Sequence, residues 1–349
     1  MNLEKPTKKY LKIKNMKISI LIPTKNRLPI LRETLHNIYS VNKLPKEDFE
    51  VIVSNDGDDD LSILSEEFPF KNLKIVKNTH NHGAAGNRNN AADYAQYEIL
   101  QFLDDDILIT EYFLERVIYW HNKLGNICLC SKLLYSKKLK EIANKTSFGR
   151  YIIKQEYNNE INDFTPFNDN GLYESTWLHG SSLSIKRLTF MYIGAFKEEI
   201  GFGGEEGELC FRAQLNGISL VYDTKNIIYH NEIDRLILDD WLIRQIIGIK
   251  GAIKICKLHP EGQNHPTWYT NTPIKTSDSW NVKLLKLKKI FCSFSPAYKF
   301  LHFLAIYGEK IKLPDSFLFR LYNALWLGAT YREFREAYKE IFKNKKHED

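Results

Sequence analysis

From Lys17 onward, short apolar runs alternate with longer segments of helical period, and one run after another ends in a polar cluster. That order is expected of βα units feeding a mostly parallel sheet. Lys17–Ile22 reads as the first strand, stopping at Pro23 and Asn26. Arg27–Val41 then carries Leu28, Leu31, Leu35 and Ile38 at the spacing of one helix face. Phe49–Ser54 and Leu73–Lys77 follow as strands, Gly86–Tyr97 as a helix of small residues and Ile99–Leu103 as a fourth strand. Phe113, Val117, Trp120 and Leu124 line one side of a further helix. Ligands of open α/β sheets sit beyond the carboxyl ends of the strands. Four successive strand ends here are polar, at 23–27, 55–60, 80–90 and 104–106. Past Gly171, Leu183–Ile185, Ser219–Tyr222 and Ile227–His230 read as short strands and Glu206–Asn216 as a helix closed by Gly217. The sheet is expected to end near His230.

A chain of 349 residues exceeds what one core usually holds, so two parts are expected after a basic start. The boundaries read as a tail over 1–16, an α/β domain over 17–234 and a helical region over 235–349, with a connector rich in Pro, Thr and Asn near 259–280. Hydrophobic residues at 43% supply enough apolar material for a core and exclude general disorder. No apolar stretch is long enough for a membrane span, and the lysine-rich start is followed by no apolar region, so a cytoplasmic protein is expected. Cys128, Cys130, Cys210, Cys256 and Cys292 are odd in number and form no CxxC pair, which reads as reduced thiols. The net charge of +6 is concentrated after Asn281. No nucleic-acid module accompanies it, which leaves an anionic membrane surface, an acidic acceptor or a solvated helical face.

Phe102-Leu103-Asp104-Asp105-Asp106 sets three carboxylates directly after an apolar strand. Carboxylates this close raise one another's pKa unless something positive compensates them. A hard divalent cation would do so while leaving sites open for phosphate oxygens. A solvated acidic turn capping the next helix is the alternative. Val53-Ser54-Asn55-Asp56-Gly57 repeats the order of strand, carboxylate and glycine, either to accept a hydrogen bond from a nucleobase or as ordinary turn chemistry. In residues 82–89 small side chains open a helix, and Arg88 projects toward a phosphate or an acid of the triplet. His80 and His82 lack the companions of a zinc site and read as loop residues. Gly201, Gly203 and Gly204 precede Glu205 and Glu206, letting backbone approach a ligand, although the helix dipole alone also favours acids there. His230 ends an apolar run, as a structural residue or, beside the triplet, as a ligand.

In this order the segments resemble the inverting glycosyltransferases of family 2, which have the GT-A fold. Ile18 to Arg27 looks like the family's opening strand and loop, Ser54 to Gly57 like its nucleobase turn, Arg88-Asn89 like its ArgAsn helix and Asp104 to Asp106 like its DxD element. Glu205-Glu206 with Leu209 and Arg212 resembles its acidic pair, and His230 matches a frequent histidine after the final strand. The resemblance implies an α/β fold, a Rossmann-like mixed sheet flanked by helices with a C-terminal helical extension. It implies transfer of a sugar from a nucleotide-diphosphate donor to a saccharide or lipid-linked hydroxyl acceptor, as in assembly of bacterial surface polysaccharide. By the same likeness, Asp106 and His230 would hold Mn2+ or Mg2+ and Glu206 would be the catalytic base. Pro23, Thr24, Arg27, Asp56, Arg88, Asp104 and Asp105 would contact the donor, and Trp177, Gly180, Gly204 and Glu205 would form the acceptor side. Uracil is the expected base, and the GlyGlyGlu element suggests a galacto-type sugar.

Glu206 stands where Asp is commoner in the family, and Asn55 replaces the more usual Asp. A nucleotidyltransferase would carry a glycine-rich loop in place of Pro23-Thr24-Lys25-Asn26-Arg27, and a non-catalytic sugar-nucleotide binder would not need the acids at 106 and 206. The C-terminal helices are expected either at the inner face of a membrane, through Phe317, Leu318, Leu321, Leu325 and Trp326, or packed on the catalytic domain or in a homodimer.

Overall fold

The structure, a computed structural model, describes residues 16–158, 165–168, 171–260 and 270–343. Most of the expected basic tail, residues 261–269 of the connector and residues 344–349 lie outside that set. The chain divides into two compact units, the first comprising Met1–Ser136, Glu160–Gly201 and Glu205–Glu232, the second Lys137–Asn159, Phe202–Gly204 and Ile233–Asp349. The second therefore takes in two segments that lie inside the expected 17–234 domain.

Among the described residues, ten strands of the first unit form one mixed sheet. They are β1 (Ile18–Thr24), β2 (Phe49–Asn55), β3 (Leu73–Lys77), β4 (Ile99–Phe102), β5 (Ile107–Ile109), β6 (Ile127–Tyr135), β7 (Thr165–Asn168), β8 (Leu172–Glu174), β9 (Ser184–Lys186) and β10 (Ser219–His230). The order β3-β2-β1-β4 is parallel, β9 lies antiparallel between β4 and β6, and β10 runs parallel to β6. Among the described residues the α-helices are α1 (Leu28–Val41), α2 (Ser62–Glu67), α3 (Ala84–Asp93), α4 (Phe113–Leu124), α5 (Lys137–Ala143), α6 (Ser147–Asn158), α7 (Arg187–Tyr192), α8 (Glu205–Leu215), α9 (Leu238–Leu258), α10 (Trp280–Ser293), α11 (Ser295–Lys310) and α12 (Asp315–Lys343). This is the GT-A arrangement that the resemblance implied, a mixed sheet covered by helices.

Both faces of the sheet are covered, so its central strands are apolar throughout rather than alternating. Ile18, Ile20 and Ile22 of β1 meet Leu31, Leu35 and Ile38 of α1 and Phe113 of α4 on one face. On the other, Leu21, Ile52 and Leu100 meet Ala85, Ala91 and Ala92 of α3 and Leu209 of α8. Alanine and glycine let α3 close against its own loop, for a Cβ on Gly86 would stand 2.1 Å from the Asn81 carbonyl oxygen.

Two local readings are corrected and one strand is added. Pro23 does not end β1, because pairing with β4 stops at Leu21 and one side of the strand needs no donor beyond it. The two strands expected at 219–222 and 227–230 are one, its register shifted between Asp223 and Ile227. Asp223 makes that irregularity possible by accepting from the Lys225 and Asn226 backbone N–H groups. Strand β6, central to the sheet, has no counterpart in the sequence reading, since a four-residue apolar run followed by Ser131-Lys132 carries neither period clearly.

Among the described residues, the second unit is helical apart from its turns and connectors. Phe148, Tyr151, Trp241 and Tyr322 stack edge to face in it, and Ile253, Phe334 and Ala337 form a smaller cluster. Leu318, Leu321 and Leu325, expected either at a membrane or packed on the catalytic domain or in a dimer, are buried, while Phe317 and Trp326 are partly exposed. Among the described residues, no helix is long and apolar enough to cross a membrane. All five cysteines are free and buried.

Candidate active site

Asp106 immediately precedes β5, which pairs antiparallel with the end of β10 so that Ile107 faces His230. The Asn231 backbone N–H donates to the Asp106 carbonyl at 2.9 Å and fixes that register. Two residues 124 positions apart in sequence therefore meet, with His230 Nε2 3.8 Å from Asp106 Oδ1. Glu232, which the sequence reading passed over, joins them. Asp106, His230 and Glu232 are all buried, and each offers a ligand atom within 4.8 Å of the others. The spacing of His230 and Glu232 was the available signal, because residues two apart on an extended segment project to the same side.

The triplet is divided between two arginines. Arg27 donates to Asp105 at 2.7 Å, to Asp106 at 3.0 Å and to Glu232 at 2.9 Å, and about a third of its side chain is exposed (32%). Burial works against its charge, yet the three acids outweigh that and raise its pKa. Arg88, only 6% exposed, bonds Asp104 at 2.8 Å and Glu205 closely. Burial alone would push Asp104 up, but Arg88 holds it below the usual carboxylate range. Gly180 lies flat against Arg88, since a Cβ there would come 2.9 Å from Nη2. Asp105 is turned inward, accepting from Thr24 Oγ1 at 2.7 Å while its own carbonyl accepts from Thr34. Burial pushes its carboxyl up to about 7, with Asp106 adding repulsion against the pull of Arg27.

Asp56, at the end of β2, accepts from Asn78 at 2.7 Å, His82 at 2.6 Å, the Gly83 backbone N–H at 3.1 Å and Lys25 at 3.3 Å. These donors outweigh the opposing effect of burial and lower its pKa. Four donors fill the lone-pair sites of an ionised carboxylate. Of the four donors, Lys25 and His82 are the exposed ones. Pro23 and Thr24 sit at the end of β1 beside this turn, with the Asp56 N–H on the Thr24 carbonyl. His80 is held elsewhere, between Glu198 at 2.7 Å and Asp93 at 2.8 Å.

Helix α8 begins with Glu205 and Glu206. The Oε2 atoms of both are buried without a hydrogen bond. Burial pushes Glu206 up to about 8, with repulsion from Glu205 next and Arg88 pulling the other way. Gly203 and Gly204 both have positive φ and belong to the second unit, where the Gly203 carbonyl would stand 1.5 Å from a Cβ on Gly251. Close backbone packing on α9 thus accounts for those glycines, whatever else they do. Trp177 is half exposed, its N–H and carbonyl both bonded to the Ser175 hydroxyl.

Residues 19–176 match the family described as Glycosyl transferase family 2. They belong to that family. The matched segment contains Asp56, Arg88 and the aspartate triplet and ends before Glu206 and His230. The chain is similar to validoxylamine A glucosyltransferase of Streptomyces hygroscopicus subsp. limoneus, 26% identical over 58% of this chain and 49% of that one. It is also similar to the poly(ribitol-phosphate) beta-glucosyltransferase of Bacillus spizizenii, 34% identical over 31% of this chain and 17% of the relative. The chain spans about half the length, or less, of these curated relatives. Among solved structures, a mannosyltransferase of Pyrobaculum calidifontis in complex with GDP-Man and Mn2+ superposes with a TM-score of 0.55 at 17% identity, covering 94% of this chain and 93% of that one. GalNAc-T7 with UDP, GalNAc and Mn2+ gives 0.54 at 14% identity, over 77% and 53%. Both likenesses are of fold.

Proposed function

We propose that the chain is an inverting, metal-dependent glycosyltransferase that moves a hexosyl or N-acetylhexosaminyl group from a UDP-sugar to a hydroxyl acceptor in bacterial glycoconjugate assembly. The observation that carries this is the buried trio of Asp106, His230 and Glu232 at one end of the triplet, with Glu206 held near neutral pKa in the same unit. The trio fits a divalent ion. Its donor set is two carboxylates and one imidazole, and the cation now bound to two of its acids is the guanidinium of Arg27, which shows a positive charge is accommodated there. An imidazole with carboxylates suits Mn2+ more than Mg2+. Mn2+ in both solved neighbours supports the same choice.

When bound, such an ion neutralises the charge growing on the leaving diphosphate. The remaining work falls to the chain. Asp56 accepts from the base after Lys25 or His82 withdraws, Asp104 stays ionised beside Arg88 to meet the ribose, and Asp105 anchors Arg27 and Thr24. Glu206 takes the proton of the acceptor hydroxyl as its oxygen forms the new bond to the anomeric carbon. The bond from that carbon to the diphosphate breaks with its electron pair leaving on the nucleotide, and attack from the opposite face inverts the centre. The glucosyltransferase relatives set UDP-glucose beside the galacto-type donor suggested by the glycines.

The test is release of UDP from UDP-glucose, UDP-galactose and UDP-N-acetylgalactosamine, with GDP-mannose as a control, with and without Mn2+. Glu206→Gln should lower turnover by about 10²–10⁴-fold while leaving donor binding intact. Near-normal turnover in that variant, or release independent of metal, would refute the reading.

A further inference from the structure

Helix α10 is turned inside out for a helix in water. Its buried side carries Lys286, Lys289 and Cys292. Lys286, fully buried, donates to Asp278 at 2.8 Å and to the Pro273 carbonyl, and Lys289 donates to Thr270 and Asn271. The outer side carries Trp280, Leu284, Leu287 and Phe291, spaced four, three and four apart as one stripe, with Trp280 72% and Phe291 64% exposed. Ammonium groups inside and aromatic rings outside oppose the usual partition, so the outer face is built for something other than water.

Helix α11 continues the pattern. Phe300, Phe303 and Tyr307 are all exposed, and the rings of Phe303 and Tyr307 stack at 5.7 Å. At about 100° per residue, Lys283 and Lys288 flank the α10 stripe on either side, and Lys299 and Lys310 border that of α11. From Asn281 to Lys312 there are seven lysines and one acid, Glu309. That acid is used internally, accepting from the Phe148 N–H at 3.1 Å and the Tyr322 hydroxyl at 3.2 Å.

We propose that α10 and α11 form a docking face for an anionic lipid bilayer, with the aromatic stripes at headgroup depth and the lysines on lipid phosphates. An apolar centre with an unopposed basic rim is the pattern of helices lying in a membrane interface. A second copy of the chain fits less well, because an isologous contact would set one lysine rim against another. The proposal is independent of the catalytic reading.

The experiment is vesicle flotation of the full chain on phosphatidylcholine with and without phosphatidylglycerol. The chain should float with the anionic vesicles, far less with the neutral ones, and less as salt is raised. Leu287→Ser with Phe291→Ser should reduce the bound fraction about ten-fold or more without lowering the melting temperature, since both side chains leave water only at the membrane. Lys288→Gln with Lys299→Gln should abolish most of the preference for anionic vesicles. The proposal is overturned by no flotation on anionic vesicles, by undiminished flotation of the serine variant, or by a dimer in light scattering that the serine variant splits.

Discussion

Arg27 and Arg88 each neutralise part of the same acidic run, yet they do so in different settings. Arg88 is sealed in, 6% exposed, beneath Gly180 and between Asp104 and Glu205. Arg27 is 32% exposed and reaches over the rim to Asp105, Asp106 and Glu232. A buried arginine bonded to a buried glutamate and a part-buried aspartate cannot be exchanged without stranding charge, whereas one at the edge can yield its place to an ion. On the proposed metal reading, the difference divides three adjacent aspartates into a fixed part and an exchangeable part.

The largest effect should come from the fixed part. Arg88→Met leaves Asp104 and Glu205 uncompensated and should cost about 3–5 kcal/mol of stability in a denaturant titration. Added Mn2+ should not restore it. Restoration would mean that the Arg88 cluster, not the Arg27 cluster, is the exchangeable one.

Next in size is the pH dependence set by Glu206. The proposed general base must be unprotonated to act, and burial pushes this carboxyl up to about 8. In the free enzyme kcat/KM should therefore rise about ten-fold per pH unit up to that value and then level. Stability runs the other way. The folded chain keeps a proton that the unfolded chain has lost, so stability falls as pH rises from the ordinary carboxylate range through about 8. Glu206→Gln should remove its share of that decline, leaving the part that Asp105, pushed up to about 7, contributes. A limb near the ordinary glutamate value would detach Glu206 from the base role.

The smallest effect belongs to Arg27→Met, about 1–2 kcal/mol without metal, given a partly exposed ion pair. Calorimetry with Mn2+ should close that gap, because the ion compensates the acids that the guanidinium leaves. A gap unchanged by Mn2+ would make Arg27 a structural residue like Arg88.

Local order was legible in the chain wherever period and punctuation agreed. β3 was read to the residue, and the strand ends at Asp56 and Asp104 to Asp106 were correctly marked as polar. What the chain did not announce depends on long-range pairing. Glu232 reaches the site only because β5 pairs with β10, and the split of the triplet between Arg27 and Arg88 depends on contacts spanning 16 to 79 residues. The outward face of α10 escaped notice for another reason. Its amphipathic pattern was plain, but period cannot say which side faces inward, and the buried lysines reverse the usual choice.

The central claim is that Asp106, with His230 and Glu232, holds a divalent ion. Electron paramagnetic resonance of Mn2+ measures that directly, since the sharp signal of the free ion fades on binding. With UDP present, the native chain should take up about one ion and Asp106→Asn almost none. Equal uptake by the two, or none by the native chain, would contradict the account.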